Sequence, residues 1–323
     1  MNAFHAIDTP ASSVGAVSIL RVVSSELDAV FEAIQINPVG VGAIKLASVL
    51  GIDDAVIARF DESTILIMPH GGIGITRRIS ESLAQVGIPL ADAEDPAELY
   101  PEAADIHEAR MLWALSIAPS PLAVDLLLDQ PRRWRARLSD EKLTHEDLAD
   151  SEMLDRLLVP PVVVAVGRAN IGKSSMINAL TGTSVSIVSD QAGTTRDHVG
   201  VMLDLAGLVV RWVDTPGVDE RVEVDAELAN VSSLVACADL VVHAIDHADQ
   251  AALLDPRLGS LMRSEIPVLR VGVRSDLGES LAAVDCVCSA KAGTGIVELA
   301  GAVRESLVSA SAMADLRAWK YWE

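Results

Sequence analysis

Residues Gly167 to Ser174 read GRANIGKS, the pattern G-x-x-x-x-G-K-[ST]. An apolar run, Val162 to Val166, precedes it, and a helix-forming stretch, SSMINAL, follows. That strand–loop–helix context is what a phosphate-cradling loop requires. Gly167 and Gly172 permit backbone angles closed to other residues, so successive N–H groups can turn inward onto phosphate oxygens. The helix after the loop adds its positive N-terminal end. Lys173 would reach the outer phosphates, and Ser174 would hold Mg2+. Asn170, Ile171 and Ser175 complete the candidate contacts. The alternative is a chance match in a Gly-rich turn.

Four further fragments follow in order. SDQAGTTRD, Ser189 to Asp197, offers a hydroxyl, Thr195 or Thr194, to complete a Mg2+ shell and sense a γ-phosphate. The strand LVVRWV ends in DTPG, Asp214 to Gly217. A strand-end carboxylate there can hold the metal through a water, and the Gly217 N–H can face the γ-phosphate. VRSD, Val273 to Asp276, stands where [NT]-K-x-D would read guanine. Asp276 can accept from the N1–H and N2–H2 pair of that base, and the stem of Arg274 can cover it. CSAKAGTGI follows, with Ser289, Ala290 and Lys291; the Ala290 N–H suits the guanine O6. Each fragment is weak alone, but five in this order at this spacing point to a GTP-binding domain. Val218 follows Gly217, where many GTPases carry a Gln that orients water. Valine cannot do this, so another group must. Glu227, Glu223 and Asp225 lie on the next segment, each also readable as a solvated helix face.

The elements that must hold these groups alternate. Strands are expected at 162–166, 199–205, 208–213, 239–245, 267–273 and 284–288, with helices between and a last helix at 295–308. This is an α/β fold: a mostly parallel sheet with helices on both faces, its nucleotide at the carboxyl ends of the strands. Before it, 12–22 reads as a strand and 25–36 as a helix. Ala43 to Val49, Asp54 to Phe60 and Ser63 to Met68 read as strands. A helix at 74–86 carries Ile75, Ile79, Leu83 and Val86 on one face and is closed by Gly87. The result is a small α+β domain over 1–90. The acidic stretch 91–105 reads as a linker or surface loop. Two helices parted by Pro119 and Pro121, and a third over 143–158 with Thr144 as N-cap and Asp147 three residues on, make a short helical region over 91–158. His145 reads as solvent-facing. The GTP-binding domain spans 159–310, and an aromatic tail 311–323.

The chain has 323 residues, half of them apolar, and a formal net charge of −21. That length suits two domains. The charge repels nucleic acid over most of the surface, so any RNA contact would be local or supplied by a partner. The one basic cluster, Arg132, Arg133, Arg135 and Arg137 around Trp134, reads either as a phosphate-backbone contact or as a helix end complementing its dipole and acidic neighbours; the second is favoured. No apolar run reaches the ~18–20 residues of a membrane span. The N-terminus lacks the basic residues of a secretory signal. A soluble cytoplasmic protein is expected. Cys237, Cys286 and Cys288 have no metal-ligand spacing and read as core or surface thiols. Trp319, Tyr321 and Trp322 crowd a chain that is 3% aromatic. The tail reads either as docking on the N-terminal domain or a partner, or as capping its own GTP-binding domain.

GRANIGKSSMINAL, VSIVSDQAGTTRD and DTPG resemble the TrmE/Era/Der group of GTPases, and above all the tRNA modification GTPases of the MnmE (TrmE) family. MNAFHAIDTPASSVGAVSILRV and PHGGIGITRRISESLAQVG resemble the two signature stretches of that family's N-terminal domain. The resemblance implies an N-terminal domain that forms a homodimer and binds a formyl-tetrahydrofolate. It also implies wobble-uridine modification in tRNA with MnmG as partner, and K+ activation through Asn170, which matches the family's phosphate-loop Asn. Glu227 is nearest to the family's catalytic Glu, with a slip of one residue. Arg21 matches an Arg near the folate site, but Leu66 stands where an acidic residue is expected. The helical region is reduced, and the chain ends RAWKYWE, without the family's Cys-containing motif. These departures count against folate binding and against retained tRNA chemistry.

Three readings follow. The first is a GTPase using Mg2+ and K+ and linked to tRNA wobble-uridine modification. The second is a GTP-dependent switch without modifying activity. The third is a dimerisation protein with a degenerate nucleotide pocket.

Overall fold

The computed structural model describes residues 2–9, 15–91, 95–137, 143–183, 200–215, 231, 233–249 and 266–322. The chain divides into two compact units, Met1–Ala118 with Val124–Glu141 and Trp322–Glu323, and Pro119–Ala123 with Lys142–Tyr321.

The first unit holds a five-stranded sheet in the order β1-β2-β5-β4-β3, with β1 at Ala3–Ile7, β2 at Leu20–Ser24, β3 at Ile44–Val49, β4 at Asp53–Arg59 and β5 at Thr64–Met68. Every pairing in it is antiparallel. Helix α1 spans Leu27–Ala33 and α2 spans Ile73–Gln85. The apolar side of the sheet and the inner faces of these helices form one core that includes Leu20, Val22, Phe31, Ile57, Ile65, Ile67, Ile79 and Leu83. Helix α2 buries Thr76, Ile79 and Leu83, the spacing of a single helical face. It ends as the sequence predicts. Gly87 adopts φ +87°, its N–H bonds the Ala84 carbonyl, and the Ile88 N–H reaches back to the Leu83 carbonyl.

Two expectations for this unit change. The strand read over 12–22 is shorter and later: among the described residues only 20–24 form it, and Val17 makes an isolated bridge to His70. The stretch 91–105, read as a linker or surface loop, contains a short helix α3, Pro96–Leu99, capped by Asp95. Helices α4, Ile106–Ile117, and α5, Ala123–Ala136, follow, and α5 runs through Pro131. The arginines of α5 are paired: Arg132 and Arg133 with Asp129, each at 2.7 Å, and Arg135 with Asp105 at 2.6 Å. Their charge is therefore directed at carboxylates of the same unit. Trp322 packs on Trp134 at 4.8 Å between ring centroids and receives the Arg110 guanidinium on its face.

The second unit opens with α6, His145–Leu154. Its N-cap is Thr144 in a complete capping box with Asp147. A six-stranded sheet follows, in the order β11-β10-β9-β6-β8-β7. Its strands are β6 Val162–Val166, β7 Val201–Leu205, β8 Leu208–Asp214, β9 Leu240–Asp246, β10 Val268–Val273 and β11 Cys286–Val287. All neighbours are parallel except the edge hairpin β7–β8. Strand β6 lies in the interior of the sheet, and its near-continuous apolar sequence, buried from Val163 to Val166, fits a strand covered on both faces. Helix α7 spans Lys173–Thr183, α8 Ile296–Leu307 and α9 Ala310–Ala314. Residues 119–123 belong to this unit because Ser120 Oγ accepts from the Val209 N–H at 3.0 Å and the Leu122 N–H bonds the Gly207 carbonyl at 3.2 Å. Trp319 and Tyr321 of the tail are buried here: Trp319 Nε1 donates to Asp155 at 2.8 Å, and the Lys320 N–H to Ser151 Oγ at 3.0 Å. Among the described residues no helix is long and apolar enough to cross a membrane.

One buried group makes the stability of the first unit depend on pH. His5 is fully buried, with Nδ1 2.9 Å from the Ile88 carbonyl and Nε2 2.7 Å from Ser80 Oγ. A carbonyl only accepts, so Nδ1 carries the proton and Nε2 accepts from the serine. Burial pushes the His5 pKa below the ordinary imidazole value. The unfolded chain then takes up a proton before the folded one, and the stability His5 contributes at neutral pH is lost as pH falls below ~6.5 toward the folded value. Urea denaturation of the first unit between pH 7.5 and 5.5 will show a falling midpoint, with a slope from this group of at most ~1.4 kcal/mol per pH unit. His107, also lowered by burial, adds in the same sense. His5→Gln will be less stable at pH 7.5 and will show a shallower slope; an unchanged slope would assign the proton elsewhere.

Candidate nucleotide-binding site

The parallel sheet brings the sequence fragments together at one edge. Strand β6 lies between β9 and β8, so the chain turns to opposite sides of it, and its carboxyl end is the position where α/β sheets take ligands. Ala165 pairs with Asp214, Val166 with His243, and Val273 with Asp246. The ends of β6, β8, β9 and β10 thus deliver the loop, the Asp214 carboxylate, the Asp246 carboxylate and the VRSD turn to the same edge.

The loop has the backbone its glycines foretell. Gly167 adopts φ +153°, and a Cβ there would stand 2.7 Å from the Ala244 carbonyl oxygen. Gly172 adopts φ +111° and Asn170 φ +59°. Lys173 opens helix α7 and folds back over the loop: its Nζ donates to the carbonyls of Gly167 and Arg168, each at 3.0 Å. Burial lowers the Lys173 pKa, with Asp214 acting in the opposite direction. An anion in the loop would add to the effect of Asp214 and favour the charged amine.

Ser174 Oγ donates to Asp214 Oδ2 at 2.6 Å. Asp214 Oδ1 is buried and has no hydrogen-bond partner among the described residues. A hydroxyl and a carboxylate with a spare buried oxygen form a hard-oxygen donor set, which fits Mg2+. The next residue, Thr215, anchors this turn by donating Oγ1 to the Ala165 carbonyl at 2.7 Å. Sequence reasoning passed over it, though it stands within DTPG.

A cavity of about 260 Å³ lies beside the loop. Asn170, Ile171, Gly172 and Ser175 line one side, and Arg274, Asp276, Ser289, Ala290 and Lys291 the other. Ser289 Oγ donates to Asp276 Oδ1 at 2.6 Å and holds that carboxyl below the ordinary carboxylate range. Arg274, at φ +60°, does more than cover the cavity. Its Nη1 donates to Asp246 Oδ2 at 2.9 Å, and its Nη2 donates to the Asn170 carbonyl. Gly295, at φ +72°, permits the turn behind Ser289, because a Cβ would lie 2.0 Å from the Val287 carbonyl oxygen. Cys288 is buried at the cavity wall, and burial pushes its thiol up to about 12; Cys286 is raised to about 11. Neither is a thiolate at neutral pH. Thr194, Thr195, Gly217, Val218, Glu223, Asp225 and Glu227 lie outside the described residues.

The implied folate site is different in character. Arg21 is largely buried; its Nε bonds Asp8 at 2.9 Å, its Nη1 bonds Glu102 at 2.8 Å, and its guanidinium stacks on the Tyr100 ring at 4.6 Å. Two carboxylates and a ring engage this guanidinium, and Leu66 on β5 supplies no acidic group, so these residues offer a folate ligand less than the family pattern implies.

Residues 162–272 match the family model described as 50S ribosome-binding GTPase. Among curated relatives, the chain is 35% identical over 183 residues to the tRNA modification GTPase MnmE of Acidiphilium cryptum, covering 55% of this chain and 40% of that one. It is 40% identical over 170 residues to the MnmE of Methylorubrum populi, covering 50% and 36%. With the MnmE of Acholeplasma laidlawii the identity is 26% over 335 residues, covering 84% and 74%. The matched part of the chain therefore spans well under half the length of the first two relatives. Residues 162–272 form a GTPase domain of the P-loop class, in a chain similar to MnmE and so to the TrmE/Era/Der group.

Proposed function

We propose that this chain binds Mg2+–GTP on the 167–174 loop, hydrolyses it, and serves as an MnmE-like GTPase in wobble-uridine modification of tRNA. The observation that carries the reading is the Ser174–Asp214 pair with its spare buried oxygen, placed one residue from an amine that folds over the phosphate loop. Mg2+ held by Ser174 and Asp214 would neutralise phosphate charge during transfer. The chain's own residues do the rest. Loop amides and the α7 N-terminus orient the phosphates. Lys173 exchanges its loop carbonyls for phosphate oxygens. Asp276 and the Ala290 N–H read the base, and Arg274 and Lys291 flank it.

The same proposal gives Thr195 and Gly217 to the γ-phosphate and Mg2+ and Glu227 to water activation. It gives Asn170 to a K+ ion acting where other GTPases use an arginine finger. It takes 1–90 as the TrmE-like domain through which the chain forms a homodimer, 91–158 as the helical connection and 159–310 as the GTPase domain. An MnmG-like partner, local or indirect contact with tRNA, and a cytoplasmic location complete it. Val273 supports the alternative of a degenerate pocket, since a buried valine replaces the side-chain amide of [NT]-K-x-D. K+-stimulated GTP turnover separates the two. Loss of the tRNA modification on gene deletion separates an enzyme of the pathway from a switch.

Two substitutions check the site. Lys173→Ala will abolish binding of labelled GTP in a titration; equal affinity in parent and variant would show that nucleotide does not use the loop. Asp276→Asn will weaken GTP and strengthen XTP, because an amide can donate to the xanthine C2 carbonyl where a carboxylate repels it. The ratio of the two affinities, measured in parent and variant, decides the base-reading role.

A further inference from the structure

The turn that ends β9 makes two ties to the phosphate loop. Asp246 Oδ2 accepts from Arg274 Nη1 at 2.9 Å, and the other end of that guanidinium bonds the Asn170 carbonyl. Asp249 Oδ1 accepts from Arg168 Nη1 of the loop at 3.2 Å. Asp249 also braces the start of the turn, since its Oδ2 accepts the backbone N–H of Asp246 at 3.1 Å. Asp246 Oδ1 accepts the Ala248 N–H at 3.1 Å, so its carboxylate is fixed in the turn rather than free to rotate. Asn170 and Arg274 both hold left-handed backbone, at φ +59° and +60°; asparagine adopts that conformation readily, but for Arg274 it is costly and is kept where surrounding bonds enforce it.

We propose that Asp246 and Asp249 are positioning residues of the nucleotide site. They form a carboxylate bracket that acts through Arg274 and Arg168 and holds the loop in its anion-receiving shape before nucleotide arrives. The inference rests on the reading of 167–174 as the nucleotide loop. Neither carboxylate would touch a phosphate, which it would repel. The gain lies in preorganisation: a loop already set loses less freedom on binding. A bracket of this kind acts on the phosphate end of the ligand, whereas a residue that reads the base acts only on the base.

The test compares labelled GTP with inorganic tripolyphosphate, the latter measured by competition, on the full chain. Asp246→Asn removes the charge and keeps the shape. It will weaken GTP by about tenfold and tripolyphosphate by a similar factor, and for tripolyphosphate, which has no base for Arg274 to flank, Arg274→Gln will add little on top of it, as coupled groups do. Asp246→Glu will restore part of the loss. Asp249→Asn, with the exposed Arg168→Met, gives a second route should Asp246→Asn fail to fold, and will weaken both ligands together. Loss of GTP affinity with tripolyphosphate unchanged, or no loss in either, overturns the bracket. Failure of the parent chain to bind either ligand overturns the nucleotide reading itself and the bracket with it.

Discussion

A loop whose amides must face an anion cannot pair those amides within the chain. Its carbonyls are thereby turned the other way and need donors of their own. In this protein that constraint organises the second unit. Lys173 supplies Nζ to the carbonyls of Gly167 and Arg168, and Arg274 reaches across from the base side to the carbonyl of Asn170. The sheet fixes where these donors start. Parallel register puts Asp214 beside Ala165 and Asp246 beside Val273, so the loop is held from several strand ends. The close approach of Gly167 to the Ala244 carbonyl leaves no room for a side chain, and the loop therefore springs from β6 without slack.

The same donors explain how a chain with net charge −21 can hold polyphosphate. Distant carboxylates are screened over about 8–10 Å at ordinary salt, whereas the α7 N-terminus and the loop amides act at contact. Several arginines elsewhere among the described residues meet local carboxylates. The α5 cluster meets Asp129 and Asp105, and Arg317 meets Asp150, Asp315 and Glu146. Of the basic cluster in the sequence, Arg132 and Arg133 thus share Asp129, and Arg135 meets Asp105, so part of its charge is met within the fold.

Where a single local rule decides an element, the sequence was legible. Apolar runs between turn signals marked β3, β4, β5 and the parallel strands. Thr144 with Asp147 marked the start of α6, and Gly87 the end of α2. The phosphate loop and Asp214 were visible because their chemistry demands fixed residue types. Elements decided by tertiary contact were not. Strand β1 is short and pairs along its length with β2 alone, with a single bridge from His5 to Leu90 on its other side, so its pattern is weak. Helix α5 passes Pro131 against its propensity; Gln130 Nε2 donates to the Leu126 carbonyl at 3.0 Å, one position before the bond the proline omits. The bracket of Asp246 and Asp249 left no motif, since two acidic residues after a strand look like any solvated turn. Only the register of β9 with β10 shows what Asp246 faces.

At the base end of the proposed site, selectivity would fall on one group. Val273 and Cys288 are buried and apolar in effect, the thiol remaining protonated at neutral pH. The acceptor of fixed charge is Asp276, which Ser289 keeps ionised and aimed. A carboxylate only accepts, so it attracts a base edge with two adjacent N–H donors and repels one that presents a ring nitrogen or carbonyl. Discrimination therefore comes as much from repulsion of the wrong edge as from attraction of the right one. Asp276 is open to solvent when the cavity is empty, so both effects are screened until the base itself displaces water from the carboxylate. On the proposed reading, the strength of base selection would thus depend on how closely the apolar wall of Val273 and Cys288 lets the base settle against Asp276.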